Sequence, residues 1–134
     1  MTLSPEDRKQ LVQHHLEKSE QMLSQAEEMF FLRHYDLAVN RYYYACFHAV
    51  HALLVANGLS AKTHEGLLAV FGKEFVLTGK IERKHSSFLA RMEQLRKKAD
   101  YNCVYDVSAS DVSDMQTPAL ELLDEIKKLI TTNM

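Results

Sequence analysis

Apolar residues recur through the first part of the chain at Leu11, Leu16, Met22, Leu23, Ala26, Phe30 and Phe31. Much of that spacing is three, four or seven, as expected of one buried stripe on a helix. Ser4-Pro5-Glu6-Asp7 supplies its start: a hydroxyl cap, a proline suited to the first helical position, and two acids at the positive end of the dipole. A first helix is predicted to run to about Leu32. Arg33 to Asp36 reads as a short corner, with Asp36 as the cap of a second helix. That second helix continues through Leu53, Leu54 and Val55. Asn57-Gly58 ends it, Gly58 being suited to the left-handed position beyond the last turn. Thr63-His64-Glu65 begins a shorter third helix with Leu67, Leu68, Val70, Phe71, Phe75 and Val76, stopped at Thr78-Gly79. A fourth fits Glu82 to Ala99, with Phe88, Leu89, Met92 and Leu95 as its stripe and Asp100-Tyr101-Asn102 as its end. Beyond a polar connector from Cys103 to Ala109, Ser108 or Ser110 caps a fifth helix. Its apolar side is Met115, Leu120, Leu122, Leu123, Ile126, Leu129 and Ile130, and Pro118 is placed to kink it or delay its start.

The pattern predicts an all-α fold, an up-and-down bundle of about five helices whose short connections make sequential helices antiparallel. Only four Gly and two Pro in 134 residues agree with long helices and few turns. No repeat, low-complexity tract or long linker divides the chain, so a single domain over 1–134 is expected. Two cysteines, Cys46 and Cys103, fit a reducing cytosol. MTLSPEDRKQ has no apolar core of a signal peptide, and no apolar run approaches the ~20 residues of a membrane span. A cytoplasmic location and no membrane partner are expected. The net charge of −2 argues against a nucleic-acid coat protein and leaves room for a local grip on RNA. Lys80, Arg83, Lys84, Arg91, Arg96, Lys97 and Lys98 crowd one segment against Glu82 and Glu93. That segment reads as a solvated helix face or as a surface that meets phosphate.

Candidate chemistry concentrates in NRYYYACFHAVH, Asn40 to His51. At 100° per residue Arg41 and His48 differ by only about 20° around the axis. Tyr44 lies between them, and Leu37 and Val55 extend the stripe. About 10 Å of helix rise separates the two, a gap that a long guanidinium stem closes in large part. One stripe therefore presents a fixed cation, a phenol and an imidazole. Three consecutive tyrosines cannot share a face, so one is expected to look outward or toward another subunit.

Other chemistries are weaker. Glu82 and His85 form a lone Glu-x-x-His, whereas a di-iron bundle needs two such pairs and two more carboxylates. His48 and His51 are three apart, without a carboxylate or cysteine nearby to complete a metal site. His14-His15 reads as surface. No glycine-rich phosphate loop exists. Cys46 and His48, two residues apart, point to different faces, which disfavours a Cys–His nucleophile pair. Arg41 with His48 then has two readings. One is a buried ion pair beside a satisfied core histidine. The other is metal-free cleavage of RNA: histidine takes the proton of a ribose 2′-hydroxyl, and arginine braces the charged transition state.

Asn40-Arg41-Tyr42-Tyr43-Tyr44-Ala45-Cys46-Phe47-His48-Ala49 resembles the second-helix signature of the HEPN superfamily, and most closely the small prokaryotic members encoded beside minimal nucleotidyltransferases. The likeness continues through Leu53-Leu54, Gly58-Leu59, Lys62-Thr63-His64, Phe75, Thr78-Gly79, Arg96 and Ala99-Asp100-Tyr101. It covers most of the chain in order. The resemblance implies a helical bundle that forms a homodimer, and an Arg-x(4–6)-His ribonuclease motif matched by Arg41 and His48. Paired protomers place such motifs around a shared cleft. No cofactor is expected. The resemblance also implies a toxin paired with a nucleotidyltransferase antitoxin, or a non-catalytic module that binds such a partner or a nucleotide. Asn40 matches a polar position beside the arginine that orients the scissile phosphate. Lys62 and His64 match recurrent positions, and Tyr44 and His51 share the motif's helix. Arg96, Asp100 and Tyr101 resemble an ion-pair and packing cluster that supports the site. Some toxins of the superfamily carry a modified tyrosine two residues after the histidine; here that position is Val50.

Overall fold

A computed structural model of the protein describes residues 3–101 and 106–133. The first helix, α1 (Pro5–Phe31), starts where its cap residues place it, with the Ser4 hydroxyl accepting from the Asp7 amide at 3.0 Å. α2 (Tyr35–Ala56) follows after a corner in which Arg33 takes φ +65°. His34, not Asp36, occupies the cap position, and no side chain caps the helix; Asp36 lies in its first turn, facing the dipole. Asn57 and Gly58 end α2, with Gly58 at φ +73°.

α3 (His64–Phe71) is capped by the Thr63 hydroxyl and widens into a π-helical turn over Gly72–Val76. Leu77 N–H reaches back to the Gly72 carbonyl at 2.9 Å, so the turn accommodates one extra residue. α4 (Arg83–Tyr101) and α5 (Ala109–Asn133) complete the bundle. Ser108 caps α5 reciprocally: its hydroxyl accepts from the Asp111 amide, and its own amide donates to the Asp111 carboxylate. Pro118 lies inside α5, nine residues past its start, and so does not delay it. Asn102 and Cys103, assigned by sequence to the end of α4 and the connector, lie outside the described residues.

α2 is the centre. It packs most extensively on α1, then on α5, α4 and α3. Ser19 meets Ala45, His15 meets His48 and Met22 meets Arg41, so numbers fall on one helix as they rise on the other and the pair is antiparallel. Asn40 with Asp100 and Tyr43 with Arg96 give the same sense for α2 and α4. Being enclosed on several sides explains why α2 buries two adjacent tyrosines. Tyr42 and Tyr43 are each 1% exposed on different sides, and Tyr44 is half-buried. Side chains of this kind contribute roughly 1.5–3 kcal/mol each when fully buried. The apolar pattern overreaches at two positions: Phe31 is 84% exposed and ends α1 outside the core, and Leu120 is also exposed. Leu37, exposed, and Val55, buried, lie at the two ends of the Arg41–His48 stripe. No described helix is long and apolar enough to cross a membrane.

Candidate functional site

Along α2 runs a stripe of half-buried polar and aromatic residues: Asn40, Arg41, Tyr44, Phe47, His48 and His51. Their neighbours Val39, Tyr42, Tyr43, Ala45, Cys46, Ala49 and Val50 are sealed inside the bundle. The stripe exists because α1 and α4 flank α2 without closing over it.

At its start Arg41 Nη1 donates to Asn40 Oδ1 at 3.2 Å and touches Met22 Sδ at 3.9 Å. Asn40 Nδ2 donates to Asp100 Oδ2 at 3.3 Å, and Arg96 Nη1 donates to the same oxygen at 3.3 Å. Arg96 Nη2 then donates to Glu93 Oε1 at 2.9 Å. A continuous polar chain thus leads from the buried Arg96–Glu93 pair out to Arg41. Asn40 is its hinge, since its amide accepts from one cation through oxygen and donates to a carboxylate through nitrogen. Arg96 also lies over the rings of Tyr43 and Tyr44, at 5.0 and 5.6 Å. Burial alone would raise Glu93, but the Tyr43 hydroxyl near it and the Arg96 guanidinium bonded to it hold it below the usual carboxylate range.

The middle of the stripe is aromatic. His64 stacks on Phe47 with ring centres 4.4 Å apart, and its Nδ1 is 3.0 Å from the Tyr43 hydroxyl. Burial, and then Glu93 beside it, push the Tyr43 phenol well above its ordinary value, so it remains protonated.

At the far end lies a histidine cluster. His48 Nδ1 is 3.1 Å from His15 Nδ1 on α1. The His15 ring stacks on His51 at 4.1 Å and on His48 at 5.3 Å, with His14 edge-on at 5.4 Å. Burial is the main cause, with His51, His48 and His14 adding to it, of a His15 pKa lowered to about 4. His48 is lowered by burial, then by His51, His14 and Lys18, and His51 by burial. All three are neutral at pH 7, which keeps the lone pair a base needs. His15 and His51 stack face to face, so their in-plane lone pairs do not converge on one point. Among the described residues no group of three or more His, Cys, Asp or Glu is placed to hold a metal ion. Cys46 is fully enclosed, and burial pushes its thiol up to about 12, which leaves it inert as a nucleophile.

The structure therefore joins Asn40, Arg41, Tyr44, Arg96 and Asp100 in one network, and His48 and His51 in another. His64 links to the stripe through Phe47 and Tyr43. Tyr101 is 79% exposed at the end of α4. Lys62 is exposed on the connector before α3. The basic segment does not form one phosphate-facing surface. Arg96 points inward, while Lys84 pairs with Glu121 and Lys97 with Glu65 and Glu93. His15, read from sequence as surface, is half-buried and faces His48; only His14 is exposed. Its signal was its place, since it follows Leu11 by four and precedes Ser19 by four, inside the buried stripe of α1. A cleft of about 300 Å³ opens beside His51, walled by Arg8, Leu11, Val55 and Leu59. A second, of about 360 Å³ between α4 and α5, borders none of the stripe.

A family model described as the HEPN domain matches residues 12–130. A UPF0332 protein of Thermotoga maritima is 36% identical over 124 residues, covering 92% of this chain and 94% of its own. A Methanocaldococcus jannaschii protein named "Putative toxin MJ0142" is 30% identical over 120 residues, covering 89% of this chain and 82% of its own. A second from that organism, named "Putative toxin MJ0605", is 39% identical over 95 residues, 71% of each chain.

Proposed function

This chain belongs to the HEPN family, and from that premise we propose that it is a metal-independent endoribonuclease, the toxin of a toxin–antitoxin pair whose antitoxin is a minimal nucleotidyltransferase. The observation that carries the reading is the half-exposed stripe of α2, with Arg41 steered by Asn40 at one end and a neutral His48 at the other. His48 takes the proton of a ribose 2′-hydroxyl. The freed oxygen attacks the adjacent phosphorus, and the bond to the 5′-oxygen breaks. The 5′-oxygen leaves with a proton, giving a 2′,3′-cyclic phosphate and a 5′-hydroxyl. Arg41 supports the charge on the phosphoryl oxygens with its forked donors. A homodimer would set two such stripes around one cleft, which suits a stripe that a single copy leaves half open. The toxin names of the Methanocaldococcus relatives support the toxin role, and the sequence signature supports the nucleotidyltransferase partner.

Incubating purified protein with mixed RNA in excess EDTA tests this. Fragments ending in cyclic phosphate are expected. Intact RNA across a range of substrates would overturn the nuclease and favour a module that binds the nucleotidyltransferase or a nucleotide.

A further inference from the structure

Two neutral imidazoles that meet through Nδ1 at 3.1 Å share one proton between those nitrogens: one ring donates and the other accepts. The choice fixes what His48 can do. If His15 donates, the His48 Nδ1 lone pair is used up and its Nε2 carries hydrogen, so no lone pair faces a substrate. If His48 donates, its Nε2 is bare and lies on the side of the ring away from His15, in a residue that is half-exposed as a whole.

We propose that His48 is the donor, and that His15 is a positioning residue that holds it in the tautomer with Nε2 unprotonated. The proposal rests on the nuclease reading for its use, but not for its geometry. Two observations carry it. His15 is the poorer seat for a positive charge, being stacked on His51 at 4.1 Å and met edge-on by His14 as well as facing His48. A proton gained by the pair therefore goes to His48. With His48 as donor that proton enters at Nε2, and the Nδ1–H···Nδ1 bond survives; with His15 as donor it must break. Finally, the contact is held rigidly. Ser19, one turn further along α1, donates its hydroxyl to the Ala45 carbonyl of α2 at 2.7 Å and is 1% exposed, which fixes the register that sets His15 against His48.

His15 thus fills the place that a carboxylate takes behind other catalytic histidines: it accepts from Nδ1 and orients the ring. The groups around His48 are His15, His14 and Lys18 from α1 and His51 from α2. Among the described residues none of these is a carboxylate, so the positioning is done by a neutral acceptor.

The test is ¹⁵N NMR of histidine-labelled protein at pH 7.5 without RNA, where protonated and bare ring nitrogens resolve separately. Wild type is expected to show His48 with Nδ1 protonated and Nε2 bare. His15→Ala should shift His48 toward the Nε2-protonated form. His15→Gln, whose carbonyl can accept, should retain the wild-type form. The wild-type spectrum needs no variant, so it decides even if His15→Ala folds poorly. His48 with Nε2 protonated in wild type, or a tautomer indifferent to His15→Ala, overturns the proposal. In RNA cleavage, His15→Ala should lower kcat about 10–100-fold with KM little changed, and His15→Gln should recover most of it. A tautomer that responds as stated in a protein that cuts no RNA supports the positioning and overturns the nuclease reading instead.

Discussion

Arg96 and Glu93 form an ion pair inside the bundle, with Nη2 and Oε1 2.9 Å apart and side chains 8% and 9% exposed. The pair anchors the polar chain to Asn40 and Arg41, and its guanidinium covers Tyr43 and Tyr44. Removing Arg96 leaves the buried Glu93 carboxylate to the half-exposed Lys97, whose Nζ is 3.6 Å away. Arg96→Ala is therefore expected to lose about 3–5 kcal/mol in urea unfolding. The double variant Glu93→Gln/Arg96→Met should recover much of that. If Arg96→Ala costs under about 1 kcal/mol, the pair does not support the site as described.

Ser19→Ala removes the buried hydroxyl bond between α1 and α2. A loss of about 1–2 kcal/mol follows, because the Ala45 carbonyl keeps only its bond within the helix. Denaturant titration checks it. An unchanged midpoint would mean that the α1–α2 register is set by apolar packing alone.

Acid should loosen the histidine cluster. His15, His48 and His51 all have lower pKa values folded than unfolded, so the unfolded chain binds more protons below the ordinary histidine value of ~6.5. Their full contribution is present above that pH. It is lost as pH falls toward the His15 value of about 4, below which these groups add no further change. Glu93, depressed below its ordinary value, adds a second loss at lower pH still. Thermal melts from pH 7.5 to 4 should show a falling Tm, and His15→Leu should flatten that limb. A Tm constant over this range would contradict the burial of the cluster.

At the other end of the stripe, Arg41 is half-exposed, so Arg41→Lys should fold normally. It keeps the charge and loses the fork, and an expected fall of about 10-fold or more in cleavage follows. Asn40→Ala frees Arg41 from its orienting contact and should cost a smaller factor. Equal activity in all three proteins would remove Arg41 from the phosphate.

The bundle was legible because apolar spacing agrees with the caps at Ser4 and Ser108, although the cap expected at Asp36 is not formed. The stripe was legible too, since Arg41 and His48 share a face by helical geometry alone. What surrounds them was not. His15 lies more than thirty positions from His48 in sequence, and periodicity within one helix says nothing about which partner helix it meets. The same limit hid the two buried tyrosines. A helix packed on several sides has no single outward face, so the rule that three adjacent tyrosines must part ways held without exposing any of them fully. Phe31 failed for a local reason, as the last residue of α1 next to a corner. The basic run from Lys80 to Lys98 reads from sequence as a solvated face or as a surface that meets phosphate, because charge is counted there before pairing. Once folded, Arg96 is buried, and Lys84 and Lys97 answer carboxylates.

If His48 supplies the base for a metal-free cut, the single-turnover rate of RNA cleavage in excess EDTA, compared between wild type and His48→Ala with matched thermal melts, reports it. A loss of about 10²–10⁴-fold in the variant, in protein that still folds, is the predicted result. Cleavage by His48→Ala at the wild-type rate, or wild-type cleavage abolished by EDTA, would contradict it.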